Sequence, residues 1–265
     1  MQTVLTIAGF DPSSGAGVTA DLMVFAAHGL FGTSCITGLT VQSTVGVQAT
    51  TAVSAETVRA TLNCLASDVP PVGIKIGMLA TAENVRAVAE FLVAFRGEEE
   101  RVPVVLDPVL RSSSGRELLD AEGVTVMRES LLPLVDWVTP NLEELGVLTG
   151  RTVKRREDMD DAAVALQEMG WELNVVVTGG HLNPPDDLLV TAEGETVWMP
   201  GTQMVSRSTH GTGCAFSSAL LSRLVLGDSA RDAAARAKEY VAEAIRRGIP
   251  MGKGIGPVNH LWLIR

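Results

Sequence analysis

The chain has 265 residues, 46% hydrophobic and 20% charged, with 31 acidic side chains against 21 basic ones. So much apolar chain can bury a large core, which excludes a disordered segment and a miniprotein held by disulfides. A formal net charge of -10 excludes the extended basic face that nucleic-acid binding needs and points to small-molecule partners.

The predicted elements alternate along the chain. A strand over 3–7 is followed by a helix over 16–28, a strand over 34–37, a helix over 55–66, a strand over 72–76, a helix over 82–95 and a strand over 102–106. Apolar strands set between helices are covered on both faces, so the sheet is mostly parallel. Further strands are read over 135–138 and 173–177, and a helix starts after Thr139-Pro140. Past Gly180 the texture changes: residues 188–191 and 196–199 flank Ala-Glu-Gly-Glu as a β-hairpin, and two alanine-rich helices follow over 212–226 and 229–247. The fold class is therefore α/β, a single three-layer αβα domain over 1–265 with a small hairpin addition. No apolar run approaches the roughly 18 residues of a membrane span, and Met1-Gln2-Thr3 enters its strand without a basic leader, so a cytoplasmic location is expected.

In such sheets ligands gather at the carboxyl ends of strands, beside helix N-termini. The first such junction is Gly9-Phe10-Asp11-Pro12-Ser13-Ser14-Gly15-Ala16-Gly17, with Asp21 in the first turns of the helix. Residues 15–20 match the dinucleotide pattern GxGxxA, but no acidic residue stands between Asp21 and Glu56 to hold a ribose, which argues against that reading. A structural strand-to-helix turn is the other. GxxxxGK(S/T) is absent, so a P-loop is not expected.

The second junction, His210-Gly211-Thr212-Gly213-Cys214, opens an apolar helix. Amides freed by its two glycines at the positive end of a helix dipole make a cradle for an anion such as a phosphoryl group. Cys214 shares that helix start, where the dipole is expected to lower its thiol pKa. For Cys35 and Cys64 a core role is expected. The three cysteines have no CxxC spacing, so neither a disulfide framework nor a zinc site is read.

Asn141 and Glu144 follow Thr139-Pro140 at i, i+3, and two readings stand: a pair holding hydrated Mg2+, or an ordinary capping box. Asp107 ends another strand and is either a further carboxylate beside the metal or a turn cap. Gly252-Lys253-Gly254 is a mobile loop near nucleotide or a plain turn. His28 reads as a helix-end cap, while His181 and His260 have no partner pattern.

Taken in order, these segments resemble the ribokinase-like superfamily and, within it, the hydroxymethylpyrimidine and phosphohydroxymethylpyrimidine kinases of thiamin synthesis. The resemblance runs nearly end to end. It covers Thr6 to Gly9, Asp11 to Ser13, Gly15 to Gly17, Gln42-Ser43-Thr44, Lys75 to Leu79, Leu106 to Val109, Thr139 to Glu144, Gly179-Gly180-His181, Thr209 to Cys214 and Gly252 to Val258. It implies ATP-dependent, Mg2+-linked phosphorylation of a pyrimidine alcohol and then of its monophosphate by a homodimer.

By the same resemblance Gly211, Thr212 and Gly213 form the anion hole, and Cys214 stands where many relatives place an aspartate base. Gly9, Ala16, Asp21, Gln42, Met78 and Val109 surround the pyrimidine, and Asp107, Asn141 and Glu144 serve metal and phosphate. Two departures follow: Ser113 and Thr178 stand where many relatives carry lysine. Phosphate or nucleotide contacts then fall to Arg111, Thr178, Arg207 or Lys253. The nearest rival within the fold is a pyridoxal or pyridoxine kinase; a non-catalytic pyrimidine-binding protein is the rival of another class.

Overall fold

The computed structural model describes residues 1–98, 102–180 and 182–264; His181 lies outside them. In its first half β1 (Thr3–Phe10) leads to α1 (Gly17–Ala27), then to β2 (Phe31–Ser43), β3 (Gly46–Ala52) and α2 (Ala55–Asp68). β4 (Ile74–Ile76), α3 (Ala82–Glu98), β5 (Val104–Leu106), α4 (Ala121–Val126), β6 (Trp137–Val138) and α5 (Leu142–Thr149) follow. The second half holds α6 (Met159–Gln167), β7 (Asn174–Val177), β8 (Asp187–Val190), β9 (Thr196–Met199), β10 (Ser208–His210), α7 (Thr212–Val225), α8 (Ala230–Arg246) and β11 (Gly256–Pro257).

Nine strands form one sheet in the order β3-β2-β1-β4-β5-β6-β7-β8-β9. The pairs from β2 through β7 are parallel, and the pairings β2-β3, β7-β8 and β8-β9 are antiparallel. Successive strand residues enter opposite cores. Leu5, Ile7, Val104, Leu106 and Val138 pack with α2 to α6, while Val4, Val105 and Trp137 pack with α1, α7 and α8. This is the expected three-layer arrangement.

The differences from expectation have local causes. β2 runs on to Ser43 and pairs with β3, which the apolar pattern does not signal because β3 is almost wholly exposed. β5 starts after Pro103, which has no N–H for the ladder. The hairpin β8-β9 is present and continues the main sheet through β7. α4, capped by Asp120, and α6, with two aspartates in its first turn, are further helices that the alternation leaves out. Cys35 is buried as expected, but Cys64 is exposed on α2 and is no core residue. His28 does cap α1: its Nδ1–H donates to the Val24 carbonyl at 2.8 Å.

Candidate active site

The two glycine turns pack against each other at the carboxyl end of β1. Gly211 has φ 84 as the residue before α7, and a Cβ there would lie 1.7 Å from the Gly15 carbonyl oxygen. A Cβ on Gly15 would in turn lie 2.1 Å from Cδ2 of His210. Backbone contact this close is open only to glycine. No side chain caps α7: the first-turn amides of Thr212, Gly213 and Cys214 stand without one at the positive end of the helix dipole.

Asp11 ties the turns together. Its Oδ1 accepts from the Ser13 backbone at 2.8 Å and from the Ser13 hydroxyl at 2.7 Å, while its Oδ2 accepts from the Ala16 amide at 3.0 Å and from Nε2 of His210 at 2.7 Å. Burial works against its charge, yet the bonds from His210 and Ser13 outweigh it and hold the carboxyl below the usual value. Gln42 accepts through Oε1 from the Thr40 hydroxyl at 3.1 Å, and its Nε2 lies 3.1 Å from Nε2 of His210, whose proton goes to Asp11. Met78 packs on Gly9, where a Cβ would meet its sulfur at 2.7 Å. Thus Gly9, Ala16, Gln42 and Met78 come together beside residues 210–214. Val109, half-buried, follows at the end of β5, its amide bonded to the Asp107 carbonyl at 2.8 Å.

Beneath lies a buried charge network. Lys75, on β4, places Nζ 3.1 and 3.0 Å from the two oxygens of Asp21 and 4.0 Å from Oδ2 of Asp107. Thr6 donates to Asp21 at 2.6 Å, Ser218 donates to Asp21 at 2.8 Å and Ser217 donates to Asp107 at 3.1 Å. Asp21 is wholly buried with both oxygens engaged, so its carboxylate supports the floor of the site. Burial works against the Lys75 ammonium; the Asp21 carboxylate, with Asp107 beside it, outweighs that and holds it above its usual range.

Cys214 corrects an expectation. Desolvation pushes its thiol up to about 12; Lys75 and the Gly17 N–H favour the thiolate, and the Asp21 and Asp107 charges oppose it. The dipole does not win against burial of the sulfur, which the nearby carboxylates reinforce. Asp107 is likewise raised, by burial first, with Lys75 opposing.

Asn141 and Glu144 form the reciprocal capping box of α5, with Glu144 accepting from the Asn141 amide at 2.9 Å and Asn141 accepting from the Glu144 amide at 3.0 Å. Glu144 is also buried, and desolvation together with the Asp107 charge lifts it to about 8. The four remaining candidates divide. Arg111 is exposed and paired with Glu143 at 2.8 Å, at the start of α5, and Thr178 bridges to Asn141. Arg207 donates to the Lys253 carbonyl at 3.3 Å on a separate exposed loop.

Sequence reasoning passed over Lys75, Asp11, His210 and His260 as individual groups. Lys75 had a readable signal: a lysine between two isoleucines on a strand covered from both sides must be paired. His210 and His260 had none, because their partners lie 199 and 245 positions away.

An uncapped helix start among strand-end carboxylates suits the transfer of an anionic group, and on this sheet it marks a small-molecule kinase of the ribokinase-like fold. The chain belongs to the phosphomethylpyrimidine kinase family, which it matches over residues 11–259. It is 38% identical to the hydroxymethylpyrimidine/phosphomethylpyrimidine kinase of Haemophilus influenzae, covering 98% of this chain and 97% of that one. It is 41% identical to the thiamine biosynthesis bifunctional protein ThiED of Geobacter sulfurreducens, covering 98% of this chain but only 52% of that longer protein. Among solved structures, Staphylococcus aureus pyridoxal kinase in complex with ADP is similar with a TM-score of 0.90 at 31% identity, covering 100% of this chain and 95% of that one. Clostridium difficile phosphomethylpyrimidine kinase is similar with a TM-score of 0.79 at 33% identity, covering 92% and 100%.

Proposed function

We propose that this enzyme transfers the terminal phosphoryl group of ATP to the hydroxymethyl oxygen of 4-amino-5-hydroxymethyl-2-methylpyrimidine, and then to the phosphate of the product, giving the diphosphate used for thiamin. The observation that carries the reading is the bare start of α7, with Cys214 in its first turn and Asp107 close by: a Cβ on Gly213 would stand 3.8 Å from Oδ2 of Asp107. Phosphoryl transfer asks mainly for alignment and positive partial charge around the moving group. The amides of Gly211, Thr212, Gly213 and Cys214 offer both.

Gly9, Ala16, Gln42, Met78 and Val109 shape the acceptor side. Cys214 takes the proton of the alcohol. Because its thiol is raised to about 12, this happens late in transfer and more readily at higher pH. Arg111 and Thr178 lie nearest α5, Arg207 and Lys253 on the loop that packs on Thr44, and these supply phosphate and nucleotide contacts.

The donor set fits Mg2+. Asp107 and Glu144 offer hard oxygens; burial raises both carboxyls, the Asp107 charge adds to it at Glu144, and a cation would favour their charged forms. Among the described residues no group of three or more His, Cys, Asp or Glu side chains could hold a metal ion; Asp107 and Glu144 would share Mg2+ with water and substrate phosphates. When bound, it would neutralise charge on the transferred group. Asn141 contributes by fixing Glu144. No helix among the described residues is long and apolar enough to cross a membrane, and the enzyme works as a homodimeric cytoplasmic domain with small-molecule partners.

The test is ADP release by the purified protein with the pyrimidine alcohol, its monophosphate and pyridoxal in parallel. The reading requires higher kcat/KM for the two pyrimidines. A second reading, phosphorylation of pyridoxal, is favoured by the likeness to S. aureus pyridoxal kinase in complex with pyridoxal, TM-score 0.86. A preference for pyridoxal in the same assay would establish it.

A further inference from the structure

His260 reaches the site from the far end of the chain. Its ring is buried, and its Nε2 lies 2.9 Å from the Gly15 carbonyl oxygen. Burial lowers its pKa, so the ring is neutral and Nε2–H is the donor. The other ring nitrogen, Nδ1, is buried without a hydrogen-bond partner among the described residues. A buried acceptor left unpaired costs stability, and an apolar side chain of similar size would avoid that cost. What the imidazole supplies in return is one aimed N–H.

That N–H fixes a peptide with consequences at Cys214. The Gly15 carbonyl is confined between His260 and Gly211, whose Cβ, if present, would lie 1.7 Å from it. The other end of the same peptide unit, the Ala16 N–H, is taken by Asp11 at 3.0 Å, and Asp11 is held in turn by His210 at 2.7 Å. The next amide along, that of Gly17, lies on the side of Cys214, where it favours the thiolate. The tail carrying His260 is itself anchored: Tyr240 donates through its hydroxyl to the His260 carbonyl, and Trp262 donates to the Tyr240 carbonyl at 3.1 Å.

We propose that His260 is a positioning residue for the transfer step: by gripping the Gly15 carbonyl it aims the Gly17 amide at Cys214 and sets the acceptor turn against the anion-binding turn. The proposal rests on Cys214 facing the transferred group. It acts through Gly15 and Gly17 and touches no substrate itself.

The test compares His260→Leu, which keeps bulk and loses the donor, with His260→Gln, whose amide N–H can reach the same carbonyl. In ADP-release kinetics the leucine variant should lose between about 10- and 100-fold in kcat, as small misalignments do, with the KM for ATP nearly unchanged. The glutamine variant should recover most of that loss. Independently of activity, amide hydrogen exchange at Ala16 and Gly17 should quicken in the leucine variant and return to the wild-type rate with glutamine. Wild-type kcat in His260→Leu, or equal loss in kcat and equal exchange in the two variants, would overturn the proposal. Failure of the functional reading is a separate result, absence of ADP release by the wild type, and the exchange measurement still decides the role of His260.

Discussion

Lys75 and Asp21 form a salt bridge at 3.0 Å with neither side chain exposed. Ser218 of α7 bonds the same carboxylate, so the helix whose start is proposed to bind the phosphoryl group is pinned to β4 through this pair. The anchor and the anion site are parts of one assembly.

Replacing Lys75 with Met should therefore cost about 3–5 kcal/mol of stability, because two carboxylates are left buried without their cation. Asp21→Asn combined with Lys75→Met should recover part of it. Urea unfolding of the two proteins measures the difference, and equal midpoints would show that the pair is not what holds α7.

Gly211→Ala meets the Gly15 carbonyl as well as an unfavourable φ of 84. It should reduce kcat by more than about 100-fold, in line with the loss of an oriented backbone donor. Gly29→Ala is the control: φ there is 77 with nothing within 4 Å. It should cost about 1–2 kcal/mol from backbone strain alone and leave kcat intact.

Much of this was legible in the chain. Alternating apolar strands and helices predict the three layers, since a parallel sheet needs cover on both faces. Gly15, Gly17, Gly211 and Gly213 mark the two turns. What could not be read was which groups meet. A periodic pattern reports which face of a strand is buried and says nothing of the partner across a fold, so the bonds His210–Asp11 and His260–Gly15 had no signal. The dipole argument for Cys214 failed because it counted the helix and not the burial of the sulfur, to which the charges of Asp21 and Asp107 add. β3 went unread because a strand without a buried face carries no hydrophobic period.

If Cys214 takes the alcohol proton, log kcat should rise with pH from about 6 to 9, because the thiolate fraction grows below a pKa near 12. Cys214→Asp supplies a base already charged at neutral pH and should flatten that profile. A flat profile in the wild type, or unchanged rates in Cys214→Ala, would remove the sulfur from the proton transfer.

Glu144 titrates in the folded protein near 8, against 4.5 as an ordinary glutamate. The folded state thus holds the proton more tightly than the unfolded one. This contribution is fully present below about pH 4.5 and is lost as pH rises toward 8. In metal-free buffer at pH 8.5, Glu144→Gln should raise Tm while keeping the capping box, and it should lower activity in Mg2+. A lower Tm for the variant at that pH would mean that the carboxylate is paired and not strained.

The most direct measurement is a crystal structure with a non-hydrolysable ATP analogue, Mg2+ and the pyrimidine alcohol. The terminal phosphorus should lie over the start of α7, its oxygens within hydrogen-bond distance of the backbone amides of residues 211 to 214 and the alcohol oxygen between it and the sulfur of Cys214. A terminal phosphate bound elsewhere, with those amides facing solvent, would contradict the account.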